Sequence, residues 1–290
     1  MSERPRIVYT AETGTHHFRA AIGDMLRGAR GAWYMGYRLF LKDMRADYAR
    51  SALGFAWDFL DPLVLAGIFY MLARNSIIAP GEMEMPVAVF MIYGMLLYQT
   101  FCEAATLSVD AIRRSGAMLN QLKIPPEAIL YSVLCRLLFN SLFRLPVMLL
   151  FSLSLMPRAA ADGLSSFSPG GFLAFLALYP AVILPGMAIG LALAPLNTIY
   201  HDIGRLVRIV LVPLRFFSPV LYKTPQIGVF SWFGAVNPIA MTLTNLRLLA
   251  ATGGVIQPLE WALLLSGFAL LFLLGWFVFH ISIPVLAERA

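Results

Sequence analysis

Charge is scarce in this chain. Asp, Glu, Lys and Arg make up 13% of its 290 residues, where a soluble domain carries about 25%. Hydrophobic residues reach 59%. That balance excludes an ordinary soluble globule and reads as a polytopic membrane protein. Cysteine is nearly absent. Cys102 and Cys135 both fall in apolar runs, too few for a disulfide framework and without metal-ligand spacing; they read as small buried hydrophobes. His16, His17, His201 and His280 are dispersed apart from the first pair, so no metal site is expected. No glycine precedes Lys42, Lys123 or Lys223, so the chain cannot build a G-x-x-x-x-G-K-[ST] phosphate loop by itself. H-E-x-x-H and G-x-S-x-G are missing too, and no convergent set of Asp, Glu or His suggests catalysis. The segment before the first apolar run is polar and basic, so no cleavable signal peptide is expected.

What the chain has is apolar length. A bilayer span needs about 20 apolar residues, and six stretches qualify: 53–77, 87–109, 128–155, 170–195, 203–222 and 259–283. The first is imperfect, with Asp58 and Asp61 near its start and Arg74 near its end. Those two aspartates sit beside Pro62 and read as helix entry or partner contact before an acid–base pair. Gly186 and Gly190 form a G-x-x-x-G in the fourth span, a signature of close helix contact. Glu103 lies in the second span, and a buried carboxylate needs a partner. An arginine of the third span (Arg136 or Arg144) or of the fifth is the natural one.

The fifth span, IGRLVRIVLVPLRFFSPVLY, carries Arg205, Arg208 and Arg215. A charge at the bilayer centre costs about 2.5–3.5 kcal/mol on insertion scales. Arg208 and Arg215 share one helical face, with Arg205 about 60° away. Such a face must meet water, protein or something negative. Either the arginines line a path for an anionic substrate, or they pair with Glu103, Asp110 or Asp202 and brace helices. Phe216, Phe217 and Tyr222 follow directly, and Trp232 and Phe233 come soon after. They suit either stacking on sugar rings or an interfacial aromatic belt.

Basic residues are distributed unevenly. Nine precede the first span, Arg113, Arg114 and Lys123 lie between the second and third, Arg205 and Arg208 begin the fifth, and Arg289 ends the chain. The opposite side holds only Arg74, Arg158, Lys223 and Arg247. Positive residues stay inside, so both termini are expected in the cytoplasm. Residues 31–50 read as an amphipathic helix. Tyr37, Phe40, Leu41, Met44 and Tyr48 share a face, with Arg38, Lys42 and Arg45 striped beside it. It suits either the cytoplasmic leaflet or a soluble partner. Residues 112–121 read as a short cytoplasmic helix, stopped by Pro125 and Pro126, able to receive force from a cytosolic partner through Arg113, Arg114, Met118 and Leu119. A plain loop is the alternative. Residues 223–258 are too apolar for a solvated loop and too interrupted for a span. They read as two short helices, 226–236 and 239–251, broken by Asn237-Pro238 and folded back into the outer leaflet.

Three stretches resemble one family. LKDMRADYARSALGFAWDFLDP, MLNQLKIPPEAIL and LNTIYHDIGRLVRIVLVPLRFFSPVLY followed by Asn237-Pro238 are similar to the permease subunits of ABC exporters for lipid-linked polysaccharide: O-antigen, group 2 capsule and teichoic acid. One departure is His201-Asp202-Ile203, where many of that family have Arg-Asp-Ile. The resemblance runs from about residue 33 to 283 and leaves 1–30 as a cytoplasmic tail. It implies an all-α membrane protein with six transmembrane helices, an N-terminal interface helix and a cytoplasmic coupling helix. A re-entrant periplasmic hairpin would gate the path at Trp232, Phe233, Asn237 and Pro238. It also implies a homodimer with two ATP-binding cassette subunits, which hold the ATP and magnesium; this chain needs no cofactor of its own and is no enzyme. The substrate would be a lipid-linked glycan, the setting the bacterial inner membrane, the other contacts membrane lipids, and nucleic acid no partner. An ABC exporter of a small lipid or drug is the alternative, and a membrane glycosyl- or acyltransferase a more distant one.

Overall fold

A computed structural model describes residues 16–48, 56–75, 85–115, 125–161, 166–200, 202–222 and 237–287. These residues form helices and no strand. In chain order the helices are α1 (His16–Tyr48), α2 (Trp57–Arg74), α3 (Val87–Val109), α4 (Pro126–Ala161), α5 (Pro169–Leu178), α6 (Pro180–Ile199), α7 (Asp202–Phe217), α8 (Pro238–Thr252) and α9 (Pro258–Ala287). Met118, Leu119, Trp232, Phe233, His201 and the expected 226–236 helix lie outside the described residues.

Four stretches are long and apolar enough to cross a membrane: Val87–Val109, Pro126–Pro157, Pro169–Ile199 and Pro258–Ile283. The third joins α5 to α6. Pro180 lacks an amide hydrogen and breaks the ladder, yet Tyr179 keeps helical dihedrals, so the axis carries on. Two of the six expected spans fall short. Asp58, Asp61 and Arg74 put three charges into the 18 residues of α2. With 16 residues, α7 reaches about 24 Å, against a hydrocarbon core of about 30 Å.

The centre of the bundle is α3, which touches α2, α4, α6, α7 and α8. Gly186 and Gly190 make its contact with α6 possible. A Cβ on Gly186 would lie 2.6 Å from the Ala104 Cβ and the Phe101 carbonyl, and one on Gly190 would lie 2.5 Å from the Ala105 carbonyl. The expected close contact is there, and the small-residue stripe is what lets two backbones approach. On the far side of α6 lies α9, whose outward side chains are mostly exposed, as a lipid-facing helix requires.

Residues 16–30, expected as tail, are helical and continuous with the amphipathic stretch. The reason is a stripe of small residues. Gly28, Ala32 and Gly36 sit four apart on the face that meets α4. A Cβ on Gly36 would lie 2.8 Å from the Ala128 carbonyl, and one on Gly28 would lie 2.7 Å from the Glu127 carboxylate. Part of the expected apolar face, Phe40 and Met44, is buried by this packing, while Tyr37 stays exposed beside Trp33 and Tyr34.

The start and stop of α8 follow capping chemistry. The Asn237 side chain accepts the Ile239 amide at 3.0 Å, an N-cap contact. Gly253 ends the helix with φ 79°, its amide donating to the Leu249 carbonyl. Only glycine takes that conformation without cost.

Candidate functional site

The arginine helix α7 rests on α3 by a narrow face, Gly204 and Leu211, and leaves most of its surface uncovered. It runs antiparallel to α3. Near its start Arg208 reaches Asp110; further along, Tyr98 donates to the Leu211 carbonyl at 2.6 Å; just beyond its end Gly94 packs against the Val220 backbone. Arg205 and Arg208 are exposed and Arg215 is half-buried.

Arg208 donates to Asp110 Oδ2 at 2.8 Å, yet about half of its side chain, 47%, remains open. Asp110 itself is buried. Its Oδ1 also accepts Arg113 at 3.1 Å and Asn197 Nδ2 at 3.0 Å. Of the expected coupling residues, then, Arg113 is tied to the base of α7, and Arg114 stands exposed beside it. A shallow cleft opens next to this corner, lined by Phe40 and Asp43 of α1, Arg114, and Arg136 of α4.

Deeper in the bundle, Arg215 lies 5.7 Å over the Tyr98 ring, a cation–π distance. Behind it sits a polar layer. Glu103 pairs with Arg144 at 2.6 Å, and Asn140 donates to the other carboxylate oxygen at 3.2 Å. Arg144 also donates to Thr100, which shares a hydrogen bond with the Tyr179 hydroxyl. Of the two partners expected for Glu103, an arginine of the third span or one of the fifth, it is the third-span Arg144 that is found.

The far end of α7 meets the start of α8. Asn237 Nδ2 donates to Ser218 Oγ at 2.8 Å and to the Phe217 carbonyl at 3.3 Å. Two motifs nineteen residues apart, Ser218-Pro219 and Asn237-Pro238, thus form one junction. Arg247 of α8 locks it by donating to the Pro219 carbonyl at 2.7 Å, its guanidinium 3.7 Å above the Phe90 ring. Tyr222 folds back so that its hydroxyl donates to the Phe216 carbonyl. Phe216 and Phe217 are exposed, as are Arg38, Lys42 and Arg45 on α1. Pro238 is exposed at the first turn of α8.

Sequence reasoning passed over four residues that the structure places at joints. Asn197 and Gly204 bind the α6–α7 turn to α3. Arg247, counted among loop charges, is 2% exposed. His280 of α9 meets the buried Glu127 at the start of α4, 2.5 Å away. An isolated polar residue in an apolar run was the available signal for Asn197 and His280.

The chain has relatives of known naming. It is 23% identical to the O-antigen export system permease protein RfbA of Klebsiella pneumoniae over 231 residues, 79% of this chain and 85% of that one. It is 26% identical to the RfbA permease of Myxococcus xanthus over 214 residues, 71% of this chain and 76% of that one. With the polysialic acid transport protein KpsM of Escherichia coli it shares 25% over 199 residues, 67% of this chain and 72% of that one. The ABC-2 type transporter family matches residues 36–250, from the middle of α1 through the arginine helix and its Asn237-Pro238 junction into α8, and the chain belongs to that family.

Proposed function

We propose that this chain is the permease subunit of an ATP-driven exporter that moves a lipid-linked polysaccharide of the O-antigen or capsule kind across the inner membrane. The observation that carries the reading is the arginine face of α7. It offers exposed guanidinium groups at the helix start, a half-buried one further along, and exposed Phe216 and Phe217 beyond, in a chain whose relatives bear the names of O-antigen and polysialic acid export proteins. A pyrophosphate or phosphate headgroup suits Arg205 and Arg208 by charge. The glycan behind it suits Arg215 and the aromatic rings by hydrogen bonding and stacking.

In this reading α2 and α7 complete six spans, and both termini are cytoplasmic. Two copies assemble with two ATP-binding cassette subunits, which supply the ATP site this chain lacks. Exposed apolar residues on α2 (Trp57, Leu60, Val64, Ile68) and on α7 (Leu206, Ile209, Val212), which no described residue covers, leave room for a second copy or for lipid against these helices. The path lies between α2 and α7. The basic side of α1 faces the cytoplasmic surface, the 112–121 segment receives the stroke of the ATPase, and the region around Trp232, Phe233, Asn237 and Pro238 gates the outer end.

Charge reversal tests the path. Arg208→Glu and Arg215→Glu are expected to abolish surface polysaccharide while the chain stays in the membrane at parental level. Normal polysaccharide in both variants refutes the path. Loss of the chain itself assigns the arginines to bracing.

A further inference from the structure

Asp110 stands at a bend. The helix of α3 ends at Val109, Asp110 takes φ −89° and ψ −2°, and residues 111–115 resume as a helical turn. The backbone stays connected across the bend, since the Asp110 amide donates to the Thr106 carbonyl and the Arg114 amide to the Asp110 carbonyl. The side chain, 3% exposed, turns away from this hinge toward two other helices. One carboxylate holds three donors from three places: Arg113 on the hinge segment, Asn197 at the end of α6 and Arg208 on α7.

Asn197 closes the same knot from the other side. It is fully buried, and both ends of its amide are used. Nδ2 donates to the Val109 carbonyl and to Asp110, and Oδ1 accepts the Gly204 amide at 2.7 Å. Gly204 lets the α7 backbone come down on the pair. A Cβ there would lie 2.9 Å from Asn197 Oδ1 and 3.0 Å from Asp110 Oδ1. No side chain stands between hinge and helix to absorb a displacement. Hydrogen bonds of 2.7–3.1 Å are lost beyond about 3.5 Å, so a shift of under an ångström at the hinge must either break the knot or move α7.

We infer that Asp110, with Asn197, is the joint that carries movement of the 111–115 segment into the arginine helix. It is a positioning residue of the export cycle and not a ligand of the substrate. The inference rests on the export reading above, and it separates from a purely static brace by what is lost. A brace fails as missing protein. A joint fails as ATP hydrolysis that no longer drives export.

The test uses the complete complex, this chain with its ATPase partner. Surface polysaccharide per chain is measured in cells, and ATP hydrolysis on complex purified from the same cells. Asp110→Asn keeps shape and one acceptor but removes the charge that Arg208 answers. It is expected to lower export per chain by about tenfold while hydrolysis stays within about threefold of the parent, on the scale of typical coupling between sites. Gly204→Ala alters no charge, presses on the same pair and is expected to give the same pattern. The inference is overturned if export and hydrolysis fall together in both variants, if export is unchanged in both, or if neither variant accumulates in the membrane. A parent complex that hydrolyses ATP yet exports no polysaccharide overturns the export reading instead; a parent that exports alongside fully coupled variants overturns only the joint.

Discussion

Removing the Glu103 carboxylate strips a buried arginine of its ion-pair partner. Arg144 is 1% exposed, and Glu103 faces it at 2.6 Å. In Glu103→Ala the guanidinium stays buried without its counter-charge, a loss of roughly 3–5 kcal/mol. Asn140 loses its acceptor at the same time, adding about 1 kcal/mol. Glu103→Gln keeps an acceptor but no charge and costs less, about 1–3 kcal/mol. The paired replacement Glu103→Met with Arg144→Met removes both charges and fills the space with apolar atoms, which is often neutral or better. The singles Glu103→Met and Arg144→Met are therefore expected to add to more than the double, with a coupling of roughly 1–3 kcal/mol. The measurement is detergent-induced unfolding of the purified chain in mild micelles, followed by tryptophan fluorescence. A Glu103→Ala cost below about 1 kcal/mol, or a double equal to the sum of the singles, would refute the pairing as a stability element.

Two further outcomes follow from contact geometry. Gly186→Leu and Gly190→Leu each force α6 away from α3, because even a Cβ arrives within 2.6 Å of α3 atoms; each is expected to cost at least about 1–3 kcal/mol and to lower the amount of chain in the membrane, and an undiminished level would refute the contact. Arg247→Lys keeps the charge but loses the flat group that stacks on Phe90 while bonding the Pro219 carbonyl; the backbone amides of Ser218, Val220, Leu221 and Tyr222 are expected to exchange hydrogen faster, and unchanged exchange would show that Arg247 does not hold that turn.

The elements legible in the sequence are those with a local cause. The span at 87–109 has the bounds that its apolar run gives, and the last begins one residue earlier, at Pro258. The ends of α8 were legible because Asn-Pro and Gly-Gly carry their chemistry in adjacent residues. The partner of Glu103 was legible because a buried carboxylate restricts its choices. The start of α1 was not. Four glycines between residues 23 and 36 cost about 1 kcal/mol each in an isolated helix, and two of them, Gly28 and Gly36, are explained only by α4, more than ninety residues later. The Asp110 knot was legible only in part: Asp110 stood among the possible partners of the α7 arginines, but Asn197 and Gly204 did not. Asp110 lies 87 residues from Asn197 and 98 from Arg208, and in sequence it looks like an ordinary helix end.

The two carboxylates of α3 and the arginines of α7 fall into one register. Glu103 and Asp110 are seven residues apart, and so are Arg208 and Arg215, so each pair occupies one face of its helix, two turns apart. With α3 and α7 antiparallel, Asp110 meets Arg208, and Arg215 comes level with the turn of α3 that carries Glu103 and Tyr98. A second ion pair between the same helices is the arrangement this register invites. It is not the one formed, because Arg144 of α4 takes Glu103 from behind. Among the described residues Arg215 faces the Tyr98 ring and no carboxylate, and its buried Nε has no hydrogen-bond partner. A helix brace needs a matched charge, and Arg208 has one. Among the described residues Arg215 has no matching carboxylate, at a level where Glu103 is already engaged. A cation on a half-open helix is costly to keep in an apolar setting; the Tyr98 ring faces it, and under the export reading proposed above an anionic or hydroxyl-rich substrate passing along α7 would offset the rest of that cost.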